Sequence, residues 1–159
     1  MLIFFKLFLI ISLLAIAYQD SKERKVSLWL LMVAFFLTGA LYYHHSVAVL
    51  FWYSIFLNSG IVILIIAILF IYARLKLKQG LEKAFGFGDL LFFLVIAVGF
   101  PTVSFIILFS FSLIFSLIIV VTLKKKYRFK TVPLAGLQAL FFSFIFLINW
   151  AFGLVNLYQ

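Results

Sequence analysis

A chain of 159 residues with 68% hydrophobic and 11% charged side chains is not an ordinary soluble domain, whose apolar share is nearer half and charged share about a quarter. At roughly 20 residues per spanning helix, the length allows about six spans and leaves no room for a soluble domain, so 1–159 reads as one all-α polytopic membrane bundle. The net charge of +9 in so apolar a chain reads as a membrane-orientation signal and a contact with anionic lipid, not as a nucleic-acid surface.

Apolar runs predict helices over Leu2–Tyr18, Val26–Tyr43, Val47–Tyr72, Asp89–Phe100, Thr102–Leu123 and Pro133–Leu157. Within the first, Ala15-Ile16-Ala17 resembles a signal-peptide cleavage site, but the charged region before it is thin and cleavage would leave five spans. In the third, Asn58-Ser59-Gly60 interrupts a long run; a kink or tight helix contact is expected there, since each half alone is too short to cross. Gly99-Phe100-Pro101 cuts the fourth to about 12 residues, too few for a straight crossing of roughly 30 Å, so it is expected to lean on its neighbours or start deeper.

The basic residues set the expected orientation. Lys22, Arg24 and Lys25 lie in the first loop, Arg74, Lys76, Lys78 and Lys83 in the third, and Lys124, Lys125, Lys126, Arg128 and Lys130 in the fifth. The second loop, with His44, His45 and Ser46, the fourth loop and the C-terminal tail carry no lysine or arginine. Odd loops are therefore expected in the cytoplasm and both termini outside. Lys6 alone dissents, near the outer end of the first span, where it can snorkel to the headgroups. Asn58, Ser59, Gln138 and Asn149 are expected to hydrogen-bond between helices. The chain has no cysteine, hence no disulfide, thiol nucleophile or Cys-ligated zinc site, and its two adjacent histidines argue against a metal cluster.

Against thirteen bases stand four acids: Asp20, Glu23, Glu82 and Asp89. Glu23 and Glu82 sit among lysines and arginines, where solvated ion pairs are the default. Asp20 follows the first predicted span and Asp89 opens the fourth, so both carboxylates are expected at the cytoplasmic boundary although 69 residues separate them. A carboxylate near hydrocarbon is costly and marks function or a partner more often than chance. Two together can share a proton, one activating water while the other donates to a carbonyl or leaving group. The bland alternative is that Asp20 balances Arg24 and Asp89 caps a helix. Gly86-Phe87-Gly88-Asp89 weighs against it, because the glycines at 86 and 88 clear two side chains from beside the carboxylate and let a peptide approach. By helix ends, Asp89 at an amino end is expected to be the ionised base and Asp20 at a carboxyl end the protonated acid, an assignment that Arg24 opposes if it contacts Asp20.

Three segments carry a resemblance to the type IV prepilin leader peptidases, membrane aspartic proteases of the Gly-x-Gly-Asp kind. Asp20 to Leu30, with Arg24 and Val26, is similar to the family's Asp-x-x-x-Arg-x-Ile/Val-Pro-Asn segment after its first span. Gly86-Phe87-Gly88-Asp89 matches the signature, and Val132-Pro133-Leu134-Ala135-Gly136-Leu137-Gln138-Ala139-Leu140 resembles the Ile-Pro-Phe-Gly-Pro-Phe-Leu-Ala-Leu segment opening the last helix. The departures are Ser27-Leu28 for Pro-Asn, Leu91 where the family has a lysine, and Gly136 for the second proline. The resemblance implies an endopeptidase of the cytoplasmic membrane, with catalytic Asp20 and Asp89, site-shaping Gly86 and Gly88 and supporting Arg24 and Pro133, that needs no cofactor or metal. Its implied substrate is a prepilin or pilin-like precursor, cut at the cytoplasmic face to remove a short basic leader. The cysteine-bearing insert of the bifunctional members is absent, so methylation of the product is not implied. Two other readings stay open: an intramembrane aspartic protease with other substrates, and a non-enzymatic scaffold or small transporter, which widely separated aspartates would favour.

Overall fold

The computed structural model describes residues 2–75, 86–123, 133–153 and 157–158. The sequence's expectations for Lys76, Lys78, Glu82, Lys83, Lys124, Lys125, Lys126, Arg128, Lys130 and Val132 lie outside the described residues. Among those described there are six helices and no strand: α1 (Leu2–Glu23), α2 (Leu28–His45), α3 (Ala48–Leu75), α4 (Phe87–Val98), α5 (Thr102–Leu123) and α6 (Leu134–Phe152). All but α4 are long and apolar enough to cross a bilayer, so the chain is an all-α, multi-pass membrane protein. A helix satisfies its backbone polar groups internally, as hydrocarbon requires, while the outward faces carry side chains such as Phe36, Phe56 and Phe144 to meet lipid.

The inward stripes follow helical spacing. Leu9, Leu13 and Ile16 on α1 and Ala135, Ala139, Phe142 and Phe146 on α6 are buried. Small residues let α1 and α6 approach closely, and their interface is the most extensive in the bundle. The 12-residue α4, about 18 Å long, is enclosed by α2, α3, α5 and α6. Its short span leaves carbonyls inside the apolar region, and neighbouring side chains satisfy them. The Asn58 side chain donates to the carbonyls of Ala97 (2.8 Å) and Phe100 (2.9 Å), and Thr38 Oγ1 donates to that of Val95 (3.2 Å). The Asn58-Ser59-Gly60 segment therefore marks a tight contact, and α3 runs through it unbroken for 28 residues.

Three boundaries differ from the sequence expectation for local reasons. α1 continues past Tyr18 to Glu23, because Lys22 bonds back to the Tyr18 hydroxyl (3.1 Å) and helical hydrogen bonding persists through the polar turn. It closes at Arg24, whose φ of 56° lies in the left-handed region and whose N–H donates to the Asp20 carbonyl (3.2 Å). α6 stops at Phe152, five residues short of Leu157, because Gly153 takes a left-handed cap (φ 60°) and donates to the Asn149 carbonyl (2.8 Å). Beyond it the Tyr158 ring stacks on His45, with centroids 4.7 Å apart, at the end of the bundle opposite the aspartates. Lys6 lies at that far end too, its ammonium 5.1 Å from the Trp150 ring of α6.

Candidate active site

Asp20 projects from the last turn of α1 and Asp89 from the first turn of α4, and they are 6% and 7% exposed. The fold brings them to one place through a third element. Pro133 opens α6 at the N-cap, where a missing N–H costs no helical hydrogen bond, and its carbonyl accepts from Leu137 N–H (3.0 Å). The first turn that follows presents backbone N–H groups without intrahelical partners. Ala135 N–H donates to Asp89 Oδ1 (2.7 Å), and Gly136 N–H donates to Asp20 Oδ2 (2.6 Å). Successive helical N–H groups point along the axis and start about 3 Å apart, so the two bound oxygens lie a few ångströms from each other and at most about 8 Å.

The surroundings of the two carboxylates are unequal. Asp89 sits at the third position of α4 and folds back over the helix start, its Oδ2 accepting from Gly86 N–H (3.2 Å) while its own N–H donates to the Gly86 carbonyl (3.0 Å). The capping role that the sequence offered as an alternative is thus combined with, and not opposed to, the meeting with Asp20. A Cβ on residue 86 would stand 3.0 Å from Asp89 Oδ2, which accounts for glycine there. Gly88 acts differently: its missing side chain faces Val26, 3.4 Å away, and packs the start of α4 against the loop between α1 and α2. That loop is tied to α1 by Gln19, whose Oε1 accepts from Ser27 N–H (3.0 Å).

Among the described residues, Arg24 brings positive charge to the site. Its guanidinium nitrogens are shielded from solvent, and it acts electrostatically on both Asp20 and Asp89, which also act on each other. Asp20 lies within the last turn of α1 and also binds the amino end of α6. The contrast of helix ends used to assign base and acid is therefore reduced and not removed: both carboxylates meet the amino end of α6, where Asp20 accepts one backbone N–H, while Asp89 accepts that of Ala135 and also that of Gly86.

The chain matches no family model, no curated protein and no solved structure. The site therefore stands on its own geometry. Asp20, Asp89, Gly86, Arg24 and Pro133 gather around it, with Gly88 one packing layer away. Ala135 and Gly136, whose backbone N–H groups hold the pair, are not among the residues the sequence singles out for the site; two small residues in the first turn after a helix-opening proline are the available signal. Gln138 and Asn58 behave as interhelical groups, Gln138 Nε2 donating to Ser112 Oγ of α5 (3.1 Å).

Proposed function

We propose that the chain is a membrane aspartic endopeptidase that removes the short basic leader from a prepilin or pilin-like precursor at the cytoplasmic membrane face. The observation that carries this reading is the pair of buried carboxylates held on successive N–H groups of Ala135 and Gly136. Burial of two acids in so apolar a chain is costly, and a bundle built for packing alone would place apolar groups there. Their closeness also weighs against the scaffold or transporter reading, which widely separated aspartates would have favoured.

In the proposed reaction a water molecule lies between the carboxyl groups. The ionised member takes a proton from it as the new C–O bond forms at the scissile carbonyl, and the protonated member donates to the carbonyl oxygen. The resulting gem-diol then collapses: the C–N bond breaks, the nitrogen takes a proton from the carboxyl that had received one, and a hydroxyl proton returns to the other. Arg24 limits the cost of negative charge during the cycle. The buried pair titrates as a unit, so base and acid belong to the dyad until each site is resolved.

The distribution of basic residues supports a cytoplasmic position for the dyad, next to anionic headgroups, where a leader rich in lysine and arginine would also gather. Two experiments test the proposal. Candidate precursors are co-expressed with the wild-type chain, with Asp20→Asn and with Asp89→Asn, and leader removal is scored; cleavage by either variant at the wild-type rate rejects the aspartyl mechanism. Reporter fusions should read external at Gln159 and cytoplasmic near Lys78, and the reverse pattern puts the dyad on the wrong side for a cytoplasmic leader.

A further inference from the structure

We infer that Gly136 is a positioning residue of the dyad, acting through its backbone N–H and through the space its missing side chain leaves to Asp20. The inference rests on the peptidase reading for its kinetic consequence, but its geometry stands independently. The N–H of Gly136 donates to the Asp20 carboxylate at 2.6 Å. A Cβ at this position would stand 2.9 Å from Asp20 Cβ, 3.0 Å from Asp20 Oδ2 and 3.2 Å from the Ala17 carbonyl oxygen. Two of these three neighbours are a backbone oxygen and the first side-chain carbon of Asp20, neither of which can swing away on a flexible chain.

Other reasons for a glycine here fail. Its φ does not lie in the left-handed region, so backbone freedom is not what the position requires. Within a helix, glycine costs about 1 kcal/mol relative to alanine. The neighbouring Ala135 carries its methyl group into the same packed region at 0% exposure, so helix approach alone does not exclude a Cβ from this turn. What distinguishes residue 136 is that Asp20 lies directly against it.

The cleanest test removes the N–H without adding an atom to a side chain. Gly136→glycolic acid, introduced as an α-hydroxy acid, replaces one backbone amide by an ester. The same change at Leu134, whose N–H bonds neither aspartate, is the control for a weakened helix start. Two readouts are taken on each full-length protein: kcat and KM for leader removal, and the Asp20 carboxyl and carboxylate infrared bands, identified by difference against Asp20→Asn. The ester at 136 should lower kcat tenfold or more at unchanged KM and shift the Asp20 bands, while the ester at 134 leaves both near wild type. Gly136→Ala, which keeps the N–H and adds the Cβ, should also lower kcat and shift the Asp20 bands.

Unshifted Asp20 bands with the ester at 136 overturn the inference, as does equal loss of kcat in both esters. Full kcat in Gly136→Ala overturns the part that concerns space. Shifted bands in the 136 ester, in a protein whose wild-type form cleaves no precursor, support the positioning role and reject the peptidase reading, so the two failures are distinguishable.

Discussion

The two ends of α4 solve the same problem with opposite chemistry. Each lies among other helices in an apolar chain, and at each the polar groups need partners from outside the helix. At the carboxyl end, neutral side chains of α2 and α3 donate to backbone carbonyls: Thr38 to Val95, and Asn58 to Ala97 and Phe100. At the amino end, the carboxyl side chain of Asp89 accepts from the backbone of Gly86 and of α6, with a second carboxyl group from α1 on the next N–H. The first arrangement is the low-cost way to finish a helix in hydrocarbon. A fold needing only stability would use it twice. The departure from it at the amino end is the physical ground for the proposed site.

The largest expected effect breaks this contrast at the charged end. Asp20→Asn or Asp89→Asn removes one member of an acid and base pair while keeping its shape, so leader removal should fall by about 10³-fold or more. Thermal unfolding in detergent should stay near wild type or rise, since a buried charge has been replaced by a neutral amide. Unfolding of either variant at markedly lower temperature would make the pair structural and erase the distinction.

Asn58→Leu breaks the contrast at the neutral end. It leaves the carbonyls of Ala97 and Phe100 without their side-chain donor in an apolar setting, a loss of about 2–4 kcal/mol. Chemical or thermal denaturation in detergent measures it. Cleavage per folded molecule should change little, because Asn58 lies at the opposite end of α4 from Asp89. A large fall in kcat at unchanged stability would show instead that the two ends are coupled.

How far the sequence disclosed these two ends differs in the same way. Apolar runs, breaks and charged loops showed six helices in the right order, because lipid makes length and composition decisive. They also singled out Asn58 as an interhelical group and the two aspartates as the unusual acids. They did not disclose what holds the aspartates. A backbone N–H has no letter of its own, so the roles of Ala135 and Gly136 depend on where α6 happens to start against α1 and α4. For the same reason the helix-end argument on Asp20 was incomplete: a sequence shows the helix a residue belongs to, not the helix whose amino end it meets. The positive φ of Arg24 was equally hidden, since arginine gives no hint of a left-handed cap.

That cap supplies a third, smaller effect, in which stability and activity should part. Arg24→Gly relieves the left-handed strain of a residue with a Cβ and should stabilise the fold by about 1 kcal/mol. It also removes the positive charge acting on both carboxylates, so leader removal should fall, by about tenfold. Arg24→Lys should retain part of the activity without the gain in stability. Equal rates for wild type and Arg24→Gly would remove Arg24 from the site.

The smallest effect lies at the far end of the bundle, where Lys6 stands over Trp150 and joins α1 to α6 at the opposite extreme of the interface that carries Asp20 and Gly136. An ammonium over an indole face contributes about 0.5–1 kcal/mol when exposed and more when desolvated, but Lys6 is half-buried and its charge also carries a desolvation cost. Lys6→Met removes both contributions and should leave stability within about 0.5 kcal/mol of wild type. Trp150→Leu removes only the favourable one and strands the charge, so it should cost more in the Lys6 background than beside Lys6→Met. A double-mutant cycle on unfolding in detergent should therefore give a coupling of about 0.5–1 kcal/mol. None of the three proteins should lose leader removal, since the contact closes the helix pair at the end away from the dyad. A coupling of zero would reduce the contact to two neighbours at a membrane boundary, and a loss of cleavage would mean that the α1 and α6 interface transmits strain along its whole length to Asp20.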